Sequence, residues 1–121
     1  MGSRIKRLGT SINRKSYRHY LGRLFATAAA KILRLGVYDT QCGAKLFHVS
    51  IIDIFNGPFV TKWLFDVELL ARINKQFPEV FSGKFIEYPL AAWEDVSGSK
   101  LKFSYYFKVP IELWRIHKKY K

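Results

Sequence analysis

Residues 38–47, Tyr-Asp-Thr-Gln-Cys-Gly-Ala-Lys-Leu-Phe, set an acid, an amide, a glycine and a cation between two apolar runs. That mixture suits a site. Asp39 can act as a base or as an acceptor that orients other groups. Gln41 can hydrogen-bond a hydroxyl or a phosphate, and Gly43 lets the backbone come close at a turn. A tight structural turn accounts for Gln41, Cys42 and Gly43 equally well, and Cys42 reads as a small, buried, inert residue. His19, His48 and His117 have no metal-ligand spacing, so no metal site is assigned. The chain has no Walker loop, dinucleotide fingerprint, HExxH pair or G-x-S-x-G elbow.

The surroundings of this stretch are cationic. Of 121 residues, 21 are Lys or Arg and 9 are Asp or Glu, a formal charge of +12, so the expected partners are anions: phosphates, nucleic acid or an acidic lipid surface. An apolar fraction of 49% is enough for one core. A single cysteine excludes an internal disulfide and points to a reducing compartment, read here as cytoplasmic. No run of eighteen apolar residues is present, and the basic start has no apolar stretch behind it, so any membrane is expected to be touched from outside.

The positioning elements follow from periodicity. A short strand is expected over residues 3–8, then a basic loop through Lys15. Apolar residues at three-to-four spacing from Tyr17 to Leu35 predict a helix that Ser16 caps and Gly36 stops, with Tyr17, Leu21, Leu24, Phe25, Ala28 and Ile32 on its buried stripe. Most of its charges form a solvated face; Arg18, in the first turn beside the basic loop, stands apart. Residues 49–55 predict a short helix ended by Asn56-Gly57-Pro58. A second strong helix follows, with Thr61 as cap, Leu64, Phe65, Val67, Leu69, Leu70 and Ile73 buried, and Asp66 and Glu68 where the helix dipole favours acids or where they pair with the basic background. Residues 84–93 predict a strand end or edge, because of Pro89. Residues 103–120 predict two helical pieces divided by Pro110, more like an interfacial anchor than a core helix.

Several spaced motifs occur in a telling order: Gly2-Ser3-Arg4, an arginine opening a helix, Asp39-Thr40-Gln41-Cys42-Gly43-Ala44-Lys45-Leu46-Phe47, then residues 63–70 (Trp-Leu-Phe-Asp-Val-Glu-Leu-Leu), Glu87-Tyr88-Pro89 and Ser97-Gly98-Ser99-Lys100. Over nearly all of residues 2–102 the chain resembles the C-terminal half of family 2 glycosyltransferases, in the branch of dolichyl- or polyprenyl-phosphate glucosyl- and mannosyltransferases. The resemblance implies an α/β fold, here an α+β fragment: the C-terminal part of a GT-A Rossmann-like domain over residues 1–102, helix-rich with a few short strands, followed by a basic amphipathic tail over 103–121 at a membrane interface. The half carrying the nucleotide pocket and the Asp-x-Asp metal motif has no counterpart here, so the chain is expected to be a fragment.

The same resemblance implies roles. Arg4 and Arg18 would hold phosphate oxygens of acceptor or donor, for which guanidinium forks are suited. Asp39 would lie near the transferred sugar, and Gln41 would contact a sugar hydroxyl or phosphate. A phosphomonoester nucleophile, with a second pKa of about 6, is already largely anionic near neutral pH, so Asp39 orients groups more than it removes a proton. Ser99 and Lys100 match a loop that closes over the diphosphate, although Asp95 and Val96 stand where relatives often carry an arginine. Trp63 and Trp93 read as packing residues rather than sugar platforms. Trp114, among Tyr105, Tyr106, Phe107 and later lysines, suits either the headgroup level of a membrane or an ordinary amphipathic helix docked on a partner.

The intact enzyme would transfer a hexose from a nucleotide sugar to a polyprenyl phosphate with inversion, using Mg or Mn held by the other half, with none expected on this chain alone. Expected partners are these two substrates, an anionic membrane surface, and the N-terminal half or a second copy covering an exposed apolar face. Other readings are a non-catalytic subunit completing a transferase in trans, or a basic nucleic-acid module. No recognised RNA or DNA motif supports the last.

Overall fold

In the computed structural model, which describes residues 1–13, 16–34, 36–94 and 107–121 (backbone only for 16–19, 21–23 and 33), distant parts of the chain lie side by side as two short parallel strand pairs. Strand β1 (Gly2–Ser3) and strand β2 (Ser11–Asn13) come from the first residues. Their partners are β3 (Tyr88–Pro89) and β4 (Ala92–Glu94), with Gly2 opposite Tyr88 and Ile12 opposite Trp93. Parallel strands need a long crossover. Here it comprises helix α1 (Ser16–Leu33), a 3-10 segment (Val49–Phe55), helix α2 (Phe65–Gln76) and a π-type turn (Val80–Lys84), and helix α3 (Val109–Tyr120) follows the strands.

The strand expected over residues 3–8 is instead broken in two. A turn lies between the halves, in which Thr10 N–H donates to Arg7 O at 3.1 Å and Gly9 takes φ +81°. Residues 11–13, read as loop, form β2 because Ser11 N–H donates to Ala91 O at 2.9 Å and the partner strand, not apolar alternation, decides their conformation. Pro89 is accommodated without loss. Tyr88 N–H donates to Met1 O and Leu90 N–H to Ser3 O, so the residue between them is the one whose N–H would point away from β1.

The core lies between the helices. Leu64, Val67, Leu69, Leu70 and Ile73 are buried around α2, together with Ile54 from the 3-10 segment, Ala29 from α1, and Leu113 and Ile116 from α3. Each fully buried large aliphatic side chain contributes about 1.5–3 kcal/mol. Thr61 does not cap α2: Leu64 occupies the cap position without a side-chain bond, and Thr61 turns to the buried Glu68.

Helix α1 ends at Leu33, and the residue in left-handed conformation after it is Arg34 (φ 54°), earlier than the stop expected at Gly36. Of its predicted stripe, the side chains of Tyr17 and Leu21 and the whole of Leu35 lie outside the described residues, and the rest is only partly covered. Phe25 and Ala28 pack on the core, whereas Leu24 is 70% exposed, because α1 meets α3 over only part of that face. Helix α3 is the second of the two helical pieces expected in the last segment. Pro110 lies in the first turn of α3, where a missing N–H costs nothing; the first of the two expected pieces falls largely on residues 103–106, outside the described residues. With Leu113 and Ile116 buried, its inner face is core. Among the described residues no helix is long and apolar enough to cross a membrane.

Candidate functional site

Asp39 and Arg4, 35 residues apart, meet in a two-pronged ion pair. Arg4 Nε donates to Asp39 Oδ2 at 2.7 Å and Nη2 to Oδ1 at 2.8 Å, and the Arg4 backbone N–H adds a third bond to Oδ2 at 3.0 Å. Both side chains are mostly buried. The Arg4 guanidinium also lies over the Trp93 ring, 5.3 Å from its centre, a cation–π geometry that fixes its plane. Trp93 is therefore a platform for the arginine, in keeping with a packing role.

The backbone beneath Asp39 is held by a second carboxylate. Glu87 accepts from Tyr38 N–H at 2.9 Å through one oxygen and from Asp39 N–H at 2.8 Å through the other. Two charge-assisted bonds to successive amides set the direction of the loop. Cys42 N–H then donates to Asp39 O at 3.2 Å, closing the turn that carries half-buried Gln41, and Cys42 is buried as expected.

Lys45 anchors the far side of this turn. It donates to Cys42 O and, at 2.7 Å, to Asp66 Oδ1 on α2, so Asp66 serves as an ion-pair partner. The expected close approach at Gly43 does not occur: a Cβ there would meet nothing within 4 Å, and its backbone is not left-handed. The glycine that packing demands is Gly2, whose added Cβ would lie 3.1 Å from Ala44 Cβ and 3.2 Å from Cys42 Sγ. With Gly2 N–H donating to Ala44 O at 2.7 Å, β1 is pressed directly against the turn.

Glu68 forms a separate buried centre. Its carboxylate accepts from Val60 N–H, Thr61 N–H, Thr61 Oγ1 and Tyr120 OH, the last at 2.7 Å, and Arg72 Nη2 lies 3.3 Å away. Arg72 in turn donates to Ile54 O, Asn56 O, Pro58 O and the Tyr120 oxygen, with its guanidinium 3.7 Å from the Phe59 ring centre. Burial alone would raise the Glu68 pKa; the bonds from Val60, Tyr120 and Thr61 outweigh it and hold the carboxyl below its ordinary value. This network joins α2, α3 and the 54–61 loop. It is scaffold, and the ion pair with Arg72 is the pairing with the basic background expected of Glu68.

The structure thus brings Arg4 and Asp39 together, and Gln41 lies in the turn that follows Asp39. Arg18 falls in the first turn of α1, and its side chain lies outside the described residues, as do Ser99 and Lys100 altogether. Glu87 and Gly2 entered the sequence reading only as motif letters; their partners lie 49 and 42 positions away, too far for local spacing to reveal. A cavity of about 370 Å³ lies between Phe47, Leu70, Ile73, Phe85 and Ile86, with Lys84 at its wall, and neither Arg4, Asp39 nor Gln41 lines it. Arg4, Asp39 and Gln41 therefore lie apart from this cavity, whose lining also includes Lys45, His48 and Ser50. No cluster of three or more metal-ligating side chains occurs among the described residues.

The geometry can be set beside known proteins. A dolichyl-phosphate β-glucosyltransferase of Trichomonas vaginalis is 34% identical over 118 residues, covering 96% of this chain and 33% of the relative. The dolichyl-phosphate β-glucosyltransferase of Saccharomyces cerevisiae is 34% identical, covering 84% and 29%, and the human one is 37% identical, covering 54% and 19%. The chain thus spans a third or less of these curated relatives. No family profile and no solved structure matches it.

Proposed function

As the chain belongs with family 2 glycosyltransferases of the dolichyl-phosphate glucosyltransferase type, we propose that it forms one wall of a transferase site that moves a hexose from a nucleotide sugar to a polyprenyl phosphate. The fold it contributes to is a GT-A Rossmann-like domain, of which the parallel pairs β1–β3 and β2–β4 are one part. The observation that carries the reading is the Arg4–Asp39–Glu87 arrangement, built from three of the motifs that the resemblance names.

That arrangement refines the roles. Both Asp39 oxygens accept from Arg4, so Asp39 is a positioning residue: it holds the guanidinium in one plane against Trp93 instead of taking a proton. An anionic phosphate acceptor needs no base. Arg4 sets its positive charge toward phosphate oxygens, Gln41 contacts a hydroxyl or phosphate, and Arg18, Ser99 and Lys100 add charge and hydrogen bonds around the leaving diphosphate. The acids of this wall do not suit a divalent cation, since Asp39, Asp66 and Glu68 are bound to cations and Glu87 to amides. The Mg or Mn that the resemblance implies is held by residues of the intact enzyme other than these.

The test mixes the purified chain with a polypeptide carrying the Asp-x-Asp half, labelled nucleotide sugar and a prenyl phosphate. Labelled lipid should form with the mixture and fall at least tenfold with Arg4→Lys, which keeps the charge but loses the fork. Absence of transfer, together with no binding of prenyl phosphate by either preparation, would sink the reading.

A further inference from the structure

The cavity of about 370 Å³ is walled by three elements. Phe47 and Ile51 come from the approach and start of the 3-10 segment, Leu70 and Ile73 from α2, and Val80 and Phe85 from the π-type turn and its end. Its volume falls in the range of about 300–1,000 Å³ in which small molecules are held, usually by an apolar wall and a few polar groups that fix one end.

Among the described residues four polar side chains line it, Lys45, His48, Ser50 and Lys84, and no acid does. Two of the four are already engaged. Lys45 is paired with Asp66, and Ser50 Oγ lies 2.9 Å from His48 Nδ1. The Ser50 backbone N–H also donates to Nδ1, at 3.2 Å, so Nδ1 carries no proton and the neutral ring bears its proton on Nε2. The Met1 amine, at the edge, donates to Ile86 O. What remains is the His48 Nε2–H and the Lys84 ammonium, which makes no ion pair among the described residues.

A carboxylate is complementary to these two donors, because its two oxygens can take one each and its charge matches the ammonium. A neutral head would leave that cation without an anion. The tail follows from the volume. At about 30 Å³ for a group the size of a water molecule, the cavity holds roughly twelve such groups, a linear chain of about ten to twelve carbons.

We infer that this cavity is a binding site for a medium-chain fatty carboxylate, with the tail among Phe47, Leu70, Ile73 and Phe85 and the head at His48 and Lys84. The inference stands apart from the transferase reading, since neither Arg4, Asp39 nor Gln41 lines the cavity. Either can fail alone.

The full chain is titrated with decanoate in a calorimeter. One molecule per chain should bind, with the negative heat-capacity change of a buried tail. Octanoate, two methylenes shorter, should bind roughly fifteenfold more weakly. Lengthening from dodecanoate to tetradecanoate should add nothing, because the cavity is then full. Lys84→Gln should weaken decanoate about tenfold. So should His48→Asn, which keeps a capping acceptor but loses the Nε2–H. Val80→Trp, which fills the cavity, should abolish binding with unchanged far-ultraviolet circular dichroism. Absence of saturable binding overturns the inference, as does decanol binding as tightly as decanoate. So does an affinity unaltered in all three variants, or one that keeps rising beyond tetradecanoate. Displacement of decanoate by geranyl phosphate would give the cavity to the lipid acceptor and overturn it too.

Discussion

The Arg4–Asp39 pair shows how two residues with separate expected tasks become one device. A guanidinium held in a fixed plane by Asp39 and Trp93 has already given up most of its rotamer freedom on folding. Because both side chains are mostly buried, Asp39→Asn leaves a cation with a weaker acceptor, and the expected cost is about 1–3 kcal/mol. A lowered urea midpoint with an unchanged slope would show it; an unchanged midpoint would mean that the pair is not a tie in the fold. The sequence marks both residues through motifs 35 positions apart. It does not mark their union, because local spacing carries no information on which distant group a side chain will meet. The same blindness hid Glu87, whose partners are amides and so leave no side-chain pattern at all.

At the scale of elements, legibility follows the source of the order. Helices α1 and α2 were visible because burial of one face imposes a period on their own residues. Strand β2 was not, since three residues held by a neighbour need no period of their own. Helix α3 lies between these cases: apolar residues on both its faces blur the period, and beside the buried Leu113 and Ile116 the hydroxyl of Tyr120 ties it to the scaffold. That hydroxyl donates to Glu68 and accepts from Arg72, linking α3 to α2. Tyr120→Phe therefore leaves two buried groups short of a partner, with an expected loss of about 1–3 kcal/mol. Thermal unfolding is the measurement, and a loss below the error of the method would contradict the seating of α3 through this network.

For the whole molecule, the charge of +12 makes acid conditions a severe test, as every protonated carboxylate adds to the repulsion. Glu68 contributes a specific part. Its folded pKa lies below the ordinary 4.5, so between the two values the unfolded chain binds more protons and stability rises with pH. The contribution is complete above the unfolded value and lost as pH falls through the folded one. Urea midpoints measured from neutral to acid pH should fall across that window, and Glu68→Gln should be less stable at neutral pH with a shallower acid decline. An unchanged acid decline would exclude Glu68 as its source. The parallel pairing of β1 with β3 has a consequence in time. The Met1 amine donates to Ile86 O across 85 positions, so the pairing of β1 with β3 waits until that distant segment has been made. At about 5–20 residues per second of synthesis, that is a wait of roughly 4–17 s. During that interval β3 is not yet beside Gly2 and Ser3, and the turn bearing Asp39 emerges before Glu87, which will fix its direction.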